Sequence, residues 1–450
     1  MRRLKVWSLF ALLLAVAPAV GCDWRDVEKD KENLPVLSVS APDKFGSKDD
    51  FGKITLPIAS DTDATASQLL VSSSNTTALA LIALDASGKA TTTNIDSPIF
   101  NVAGGPNGYA FNAMAQIPGS KPVRVLLGAA KLKNGLSGVY TVSLGGANEG
   151  KVIVATLTPD ADPYIGLGVA AGNLGVGDPD KPEYVAASAD VLRVYVDEST
   201  TAMWSWSDAD NGPACPLSIP MPPGTSNDAR AVPNSRSVLI GHFWGAGTDQ
   251  QVAIANFGQV GKGSLSFFSI TAAGLACLGT ITGTEAGFGT AVSTGDFNGD
   301  LVSDLIVGAP PHGAYVFLGP LDATSTGIAL ASSDPAVSDQ FGASVASFTL
   351  DGTGGDDALV GDPGATVSGT GSAGAVQIFS FDGTGMAITA KKGRLLAAHD
   401  PSTNAAYGIS VAGLPFCGTC ATGAKPRLPA IGASTRVLTY FTLGTDLRKP

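Results

Sequence analysis

Three observations predict an all-β fold. Gly is abundant, at 56 of 450 residues, Thr, Ser, Val and Ala are frequent, and charged residues are only 15%. This composition suits short strands joined by tight turns. Beyond residue 21 no long segment repeats apolar residues at i, i+3, i+4 and i+7, the helical signature. One unit of sequence also recurs, at intervals of roughly 50–70 residues, and such a period marks a repeat architecture.

In chain order, the first segment is a targeting signal. Arg2, Arg3 and Lys5 form a basic start, "VWSLFALLLAVAPAV" is the apolar run, and Gly21-Cys22 follows. The run is short for a bilayer span. "AVGC" resembles a bacterial lipobox, which implies lipidation of Cys22, although Ala19 stands where that pattern prefers Leu. Residues 1–21 are therefore expected to be removed, which takes the formal charge from −11 to −14. So acidic a chain has no electrostatic reason to bind nucleic acid. Anionic headgroups would repel it, so the lipid must do the anchoring. Residues 22–34, rich in Asp, Glu and Lys, read as a solvated tether.

Residues 35–450 read as one repeating domain. From Phe288-Gly289, Asp296, Asn298, Asp300, Asp304 and Val307 lie 8, 10, 12, 16 and 19 residues on. From Phe341-Gly342 the same offsets give Thr349, Asp351, Thr353, Asp357 and Val360 without a gap. Weaker copies start near residues 51, 110, 165, 236 and 407, making seven. Alternating strands such as "GVYTVSL", "VLRVYV", "GAYVFLG" and "GAVQIFSF" follow most of them. Seven units of about four strands predict a seven-bladed β-propeller, in which blades bury their faces against each other. The small residues of "VGAP" suit a strand near the axis. "LPVLSVS", Leu34 to Ser40, is expected to pair with the last blade and close the ring.

These residues resemble the FG-GAP repeat of the integrin α-chain head, a seven-bladed β-propeller. The copies at Phe288 and Phe341 match its pattern specifically and the other five in outline, over about residues 45–445. The resemblance implies a calcium loop in "DFNGDLVSD". Read from the residues alone, Asp296, Asn298, Asp300 and Asp304 place side-chain oxygens at positions 1, 3, 5 and 9, and Val302 offers a carbonyl at position 7. Such alternation wraps Ca²⁺ better than Mg²⁺, which demands a stricter octahedron. Its role would be structural. The same residues also suit a polar hairpin whose Asp side chains cap turns without metal. The family has Gly at position 6; Leu301 there would sit in a left-handed backbone at a cost of roughly 1 kcal/mol or more. With Thr349 and Thr353 in place of acids, the Phe341 copy is not expected to bind a second ion.

Export would make disulfides the default for the four later cysteines. Cys417 and Cys420, in "FCGTCATG", read as a loop staple rather than a redox pair, because no helix follows, and zinc would lack two ligands. Cys215 and Cys277 have similar surroundings, and a bridge between them is open.

No catalytic residues are assigned. His242, His312 and His399 fall in three different repeats, and G-x-S-x-G, H-E-x-x-H and P-loop motifs are absent. Met203 to Asp228 departs most from the repeat, and its Trp204 and Trp206 suit either packed side chains or an exposed aromatic platform. The expected function is a calcium-stabilised binding module for protein or glycan, lipid-anchored in a bacterial envelope. The alternatives are a polysaccharide-acting enzyme, or a structural subunit of an envelope complex.

Overall fold

The computed structural model describes residues 36–41, 51–58, 67–72, 79–84, 90–95, 111, 113–129, 138–145, 152–154, 164–188, 190–207, 214–217, 237–247, 249–257, 262–332, 338, 340–349, 355–383, 385–397, 401–415, 427–434 and 436–440. Cys22, Cys417, Cys420, His399, Asp351 and Thr353 lie outside them.

Among the described residues, twenty-eight strands form seven four-stranded antiparallel sheets. Blades 1 to 6 each take four successive strands, spanning 54–95, 113–154, 168–207, 238–282, 292–330 and 344–397. Each starts within four residues of its repeat origin. Blade 7 takes β26 (Ser410–Pro415), β27 (Arg427–Ala433) and β28 (Arg436–Tyr440) from the end of the chain. Its fourth strand is β1 (Val36–Ser40), with Val36 opposite Tyr440 and Ser40 opposite Arg436. The expected closure of the ring is thus present.

The first strand of each blade is innermost, and these strands touch in a cycle that returns from blade 7 to blade 1. A buried apolar core fills every junction between neighbouring blades, including the one where Phe51, Leu69 and Val71 of blade 1 meet Ala412, Leu414 and Val437 of blade 7. The Phe of the repeat belongs to this layer. Phe288 is buried between blades 4 and 5, edge-on to Phe317 at 5.9 Å. Burying such a side chain contributes about 1.5–3 kcal/mol.

"DLIVGA" is the second strand of blade 5, β19 (Asp304–Ala309), rather than its innermost, which is β18 (Val292–Gly295). Its Gly has another purpose. A Cβ on Gly308 would lie 2.1 Å from the carbonyl oxygen of Gly342, the FG glycine of the next blade. Gly342 itself has φ +99°, and a Cβ there would lie 1.9 Å from the Gly313 oxygen. Two backbones meet where no side chain fits. The same glycine pair recurs at Gly128 and Gly166, Gly361 and Gly408, and Gly432 and Gly52. The FG of one blade and the GA of the blade before it are two halves of one joint.

Candidate functional site

The Asp-rich loop joins β18 to β19 at one end of blade 5. The Asp296 carboxylate folds back over it, accepting the N–H groups of Asp300 and Leu301 at 3.0 Å each. The Asn298 side-chain oxygen also accepts the Asp300 N–H, at 3.2 Å, and its amide donates to Asp300 Oδ2 at 2.9 Å. Asp300 Oδ1 takes the Val302 N–H at 2.8 Å. Three oxygen-bearing side chains therefore converge on one short turn. Leu301 has φ 66°, the left-handed conformation that its position demands, and is 93% exposed.

Asp304 is different. It is fully buried, and its two oxygens accept N–H groups from Phe297 at 2.7 Å and Gly319 at 2.8 Å. Its carboxyl is pushed up to about 6, first by burial and further by the charges of Asp300 and Asp296, against the lowering effect of those two N–H groups. This position, the first residue of the second strand, has a parallel role elsewhere. In blade 3, Glu183 Oε2 accepts the Leu174 N–H at 2.6 Å. In blade 4, Gln251 Oε1 accepts the N–H groups of Phe243 and Trp244 at 3.1 and 2.6 Å. An acceptor here ties down the first hairpin loop of a blade, and the sequence pattern alone conceals this capping role.

The donor types suit a hard dication, although among the described residues no group of three or more Asp, Glu, His or Cys stands placed to hold an ion. The donors are all oxygen, their carboxylates repel one another, and each oxygen bonded to one N–H keeps a second lone pair. The loop is also braced from blade 6. The Asp356 N–H donates to the Asp296 carbonyl at 2.6 Å, and Asp356 Oδ2 accepts the Asp296 N–H at 3.1 Å. The other Asp356 oxygen accepts the Thr349 hydroxyl. Thr349, which replaces an acid in the repeat, thus serves this bracket.

Connections between the first and second strands and between the third and fourth emerge on the same face as the Asp-rich loop. On that face a pocket of about 410 Å³ opens between blades 3 and 4. β13 (Trp204–Ser207) is the outer strand of blade 3. Trp206 is buried and edge-on to Phe268 at 5.3 Å, whereas Trp204 is half-buried and lines the pocket beside Met203, which is 60% exposed. The two readings of this segment therefore divide between its two tryptophans. Behind them, a disulfide joins Cys215 to Cys277 and pins the segment after β13 to the outer strand of blade 4.

On the opposite face, His312 Nδ1 stands 3.4 Å from Glu285 Oε2, and Tyr315 donates its hydroxyl to Glu285. Burial, then this carboxylate, raises the Tyr315 hydroxyl above its ordinary value. The sequence gives no hint of this trio, because Glu285 comes from the connection between blades 4 and 5, and His312 and Tyr315 from the second turn and third strand of blade 5, which meet it only in the fold.

Among the described residues no helix is long and apolar enough to cross a membrane. A family model for the FG-GAP repeat matches residues 288–328. No curated protein matches the chain. The matched residues begin at Phe288 and run through the Asp-rich loop to the outer strand of one sheet among seven. The chain is a seven-bladed β-propeller whose fifth blade matches the FG-GAP repeat.

Proposed function

We propose that this propeller is a binding module for protein or glycan partners, held in a bacterial envelope by a lipid on Cys22. What carries the reading is the pocket on the Asp-rich-loop face, where Met203 is 60% exposed beside Trp204, whose indole packs on the core and stays half-buried. Large uncovered apolar side chains beside a concavity are what recognition sites use. The rigid joints between blades suit a scaffold that presents loops rather than one that moves.

Asp296, Asn298, Asp300 and Asp304, with the Val302 carbonyl, would hold Ca²⁺. The ion would neutralise the clustered carboxylates and stiffen the first hairpin of blade 5. Asp304 would do so while still capping Phe297 and Gly319.

The test is capture from detergent-solubilised envelope with the full-length protein as bait, with and without chelator, together with a glycan array. Saturable enrichment of a defined protein or glycan supports the reading. A bait that enriches neither on both platforms overturns it. For the anchor, Cys22→Ala should lose incorporated palmitate and leave the membrane fraction. Retention of both would sink the lipid assignment.

The Glu285, His312 and Tyr315 cluster favours a second reading, an enzyme acting on polysaccharide with Glu285 as acid or base. Reducing-sugar release that vanishes in Glu285→Gln would establish it. Equal yields from both proteins would dismiss it.

A further inference from the structure

We infer that the Asp-rich-loop face meets a lipid surface along blades 5 to 7, with Leu301 and Met386 as the side chains that enter it. The inference rests on the reading of Cys22 as lipid-bearing and deepens it, by naming the part of the ring that the anchor holds against the membrane.

Strand direction fixes where the tether leaves the ring. In blade 5 the innermost strand ends in the Asp-rich loop, so first strands run toward that face and second strands away from it. In blade 7, β26 runs toward the face, β27 away, β28 toward and β1 away, because each pairs antiparallel with the next. β1 therefore starts at the Asp-rich-loop face, where Val36 lies opposite Tyr440. Val36 follows Cys22 by 14 residues. Their greatest reach is about 50 Å at full extension. A lipid on Cys22 thus draws this face toward the membrane, blade 7 first.

Among the described residues three large apolar side chains are exposed, Met203, Leu301 and Met386, at 60%, 93% and 67%. All three come from first or third connections of their blades, which emerge on this same face. Single exposed apolar residues are ordinary on a protein surface. Position separates these three. Leu301 and Met386 belong to blades 5 and 6, which follow one another up to blade 7 in the ring. Met203 belongs to blade 3, and the junction of blades 3 and 4 lies across a ring of seven from blade 7. The edge that the tether holds down is therefore tipped with apolar side chains. The pocket stands on the edge tilted away, where a partner can reach it.

Leu301 carries a second sign. It takes a left-handed backbone, φ 66°, at a loop tip where glycine would be unstrained, and its side chain is left in water. Neither feature stabilises the fold, and strain without a structural return points to a role outside it. Met386 sits on a short turn, Gly385–Ala387, none of whose residues is buried.

The lipid is zwitterionic. Asp296 and Asp300 precede Leu301 in its loop and the chain is acidic overall, so anionic headgroups would be repelled. Two apolar tips are too few to hold an unanchored protein. A tether keeps them at high effective concentration beside the surface, so docking orients the anchored ring rather than anchoring it.

The test places the photoreactive amino acid p-benzoylphenylalanine at residue 301, 386, 203 or 262 of the full-length lipidated protein, reconstituted in vesicles of phosphatidylethanolamine and phosphatidylcholine. Lys262, exposed in the second connection of blade 4, marks the opposite face. Illumination should give phospholipid adducts at 301 and 386 at least about fivefold above those at 203 and 262, because interfacial contact is local. Replacing about half of the lipid by phosphatidylglycerol should lower these adducts about threefold. Leu301→Gly should lower the adduct at 386 about threefold, because the two tips hold one edge down together. It should not lower the melting midpoint, since it relieves the left-handed strain, whereas loss of a residue that merely braced the loop would lower it. Protein that carries palmitate on Cys22 yet gives no adducts at 301 and 386, or equal adducts at 203 or 262, overturns the proposal and leaves the anchor standing. Protein without palmitate overturns both. Cross-links between copies of the chain in place of lipid adducts also overturn it, and name a second copy as the occupant of this edge.

Discussion

The guanidinium of Arg124, on the second strand of blade 2, bonds the carboxylate of Glu198, in the outer turn of blade 3. The Tyr184 hydroxyl donates to the same oxygen at 3.1 Å. Burial alone would raise the Glu198 carboxyl, but the bond and charge of Arg124, with Tyr184, outweigh it and hold the group below its ordinary 4.5. The contact latches two blades and also fixes that turn.

A double-mutant cycle of Arg124→Met and Glu198→Gln should give a coupling of about 1 kcal/mol in urea unfolding at pH 7, since both side chains are partly exposed. A carboxyl lowered on folding contributes stability above its unfolded value and loses it as pH falls through its folded value. The gap between wild type and Glu198→Gln should therefore narrow below pH 4.5. A gap that stays constant down to pH 3 would argue that the pair is idle.

Calcium should raise the melting midpoint and chelator should lower it, with no difference between the two in Asp300→Ala. Equal midpoints for wild type in both buffers would remove the metal from the account.

Asp304 should behave unlike the other proposed ligands, because it also caps the loop. Asp304→Asn cannot accept both N–H groups, and its amide would face one of them. It should cost about 2–4 kcal/mol even in chelator, where Asp300→Ala costs little. Similar losses for the two variants would mean that capping is unimportant.

The Asp304 carboxyl is raised on folding from 3.8 to about 6, so without metal it favours the folded state at low pH, and that contribution is lost as pH rises through about 6. Calcium bound at Asp304 would compete with this proton. The calcium-induced rise in midpoint should therefore be larger at pH 7 than at pH 5, and a rise independent of pH would contradict the assignment.

At the joints between blades, Gly342→Ala should destabilise by about 3 kcal/mol or more, because its Cβ meets backbone in a left-handed residue. Gly369, with φ +79° but open space around it, is the control and should cost about 1 kcal/mol as Ala. If the two were equal, conformation rather than close approach would explain the motif.

Most of the fold was legible because the joint leaves a local imprint. Phe288-Gly289 and Phe341-Gly342 share offsets without a gap, and each stands just before the innermost strand of its blade. The left-handed turn at Leu301 was legible because the repeat it resembles has Gly at that position. The Arg124 and Glu198 latch was not, because its members lie 74 residues apart in different blades. Nor was the capping role of Asp304, since a buried cap and a metal ligand demand the same carboxylate. The pocket draws on three separated segments, each of which reads as an ordinary turn until the blades are set side by side.

Val36 pairs with Tyr440, so the earliest-made strand of the ring waits for the last. Until residues 436–440 emerge from the ribosome, β1 has no partner and the facing surfaces of blades 1 and 7 stay wet. The molecule thus has a built-in check on completeness. A chain cut short anywhere in blade 7 leaves an open sheet edge and half a core exposed, the features that invite aggregation and proteolysis.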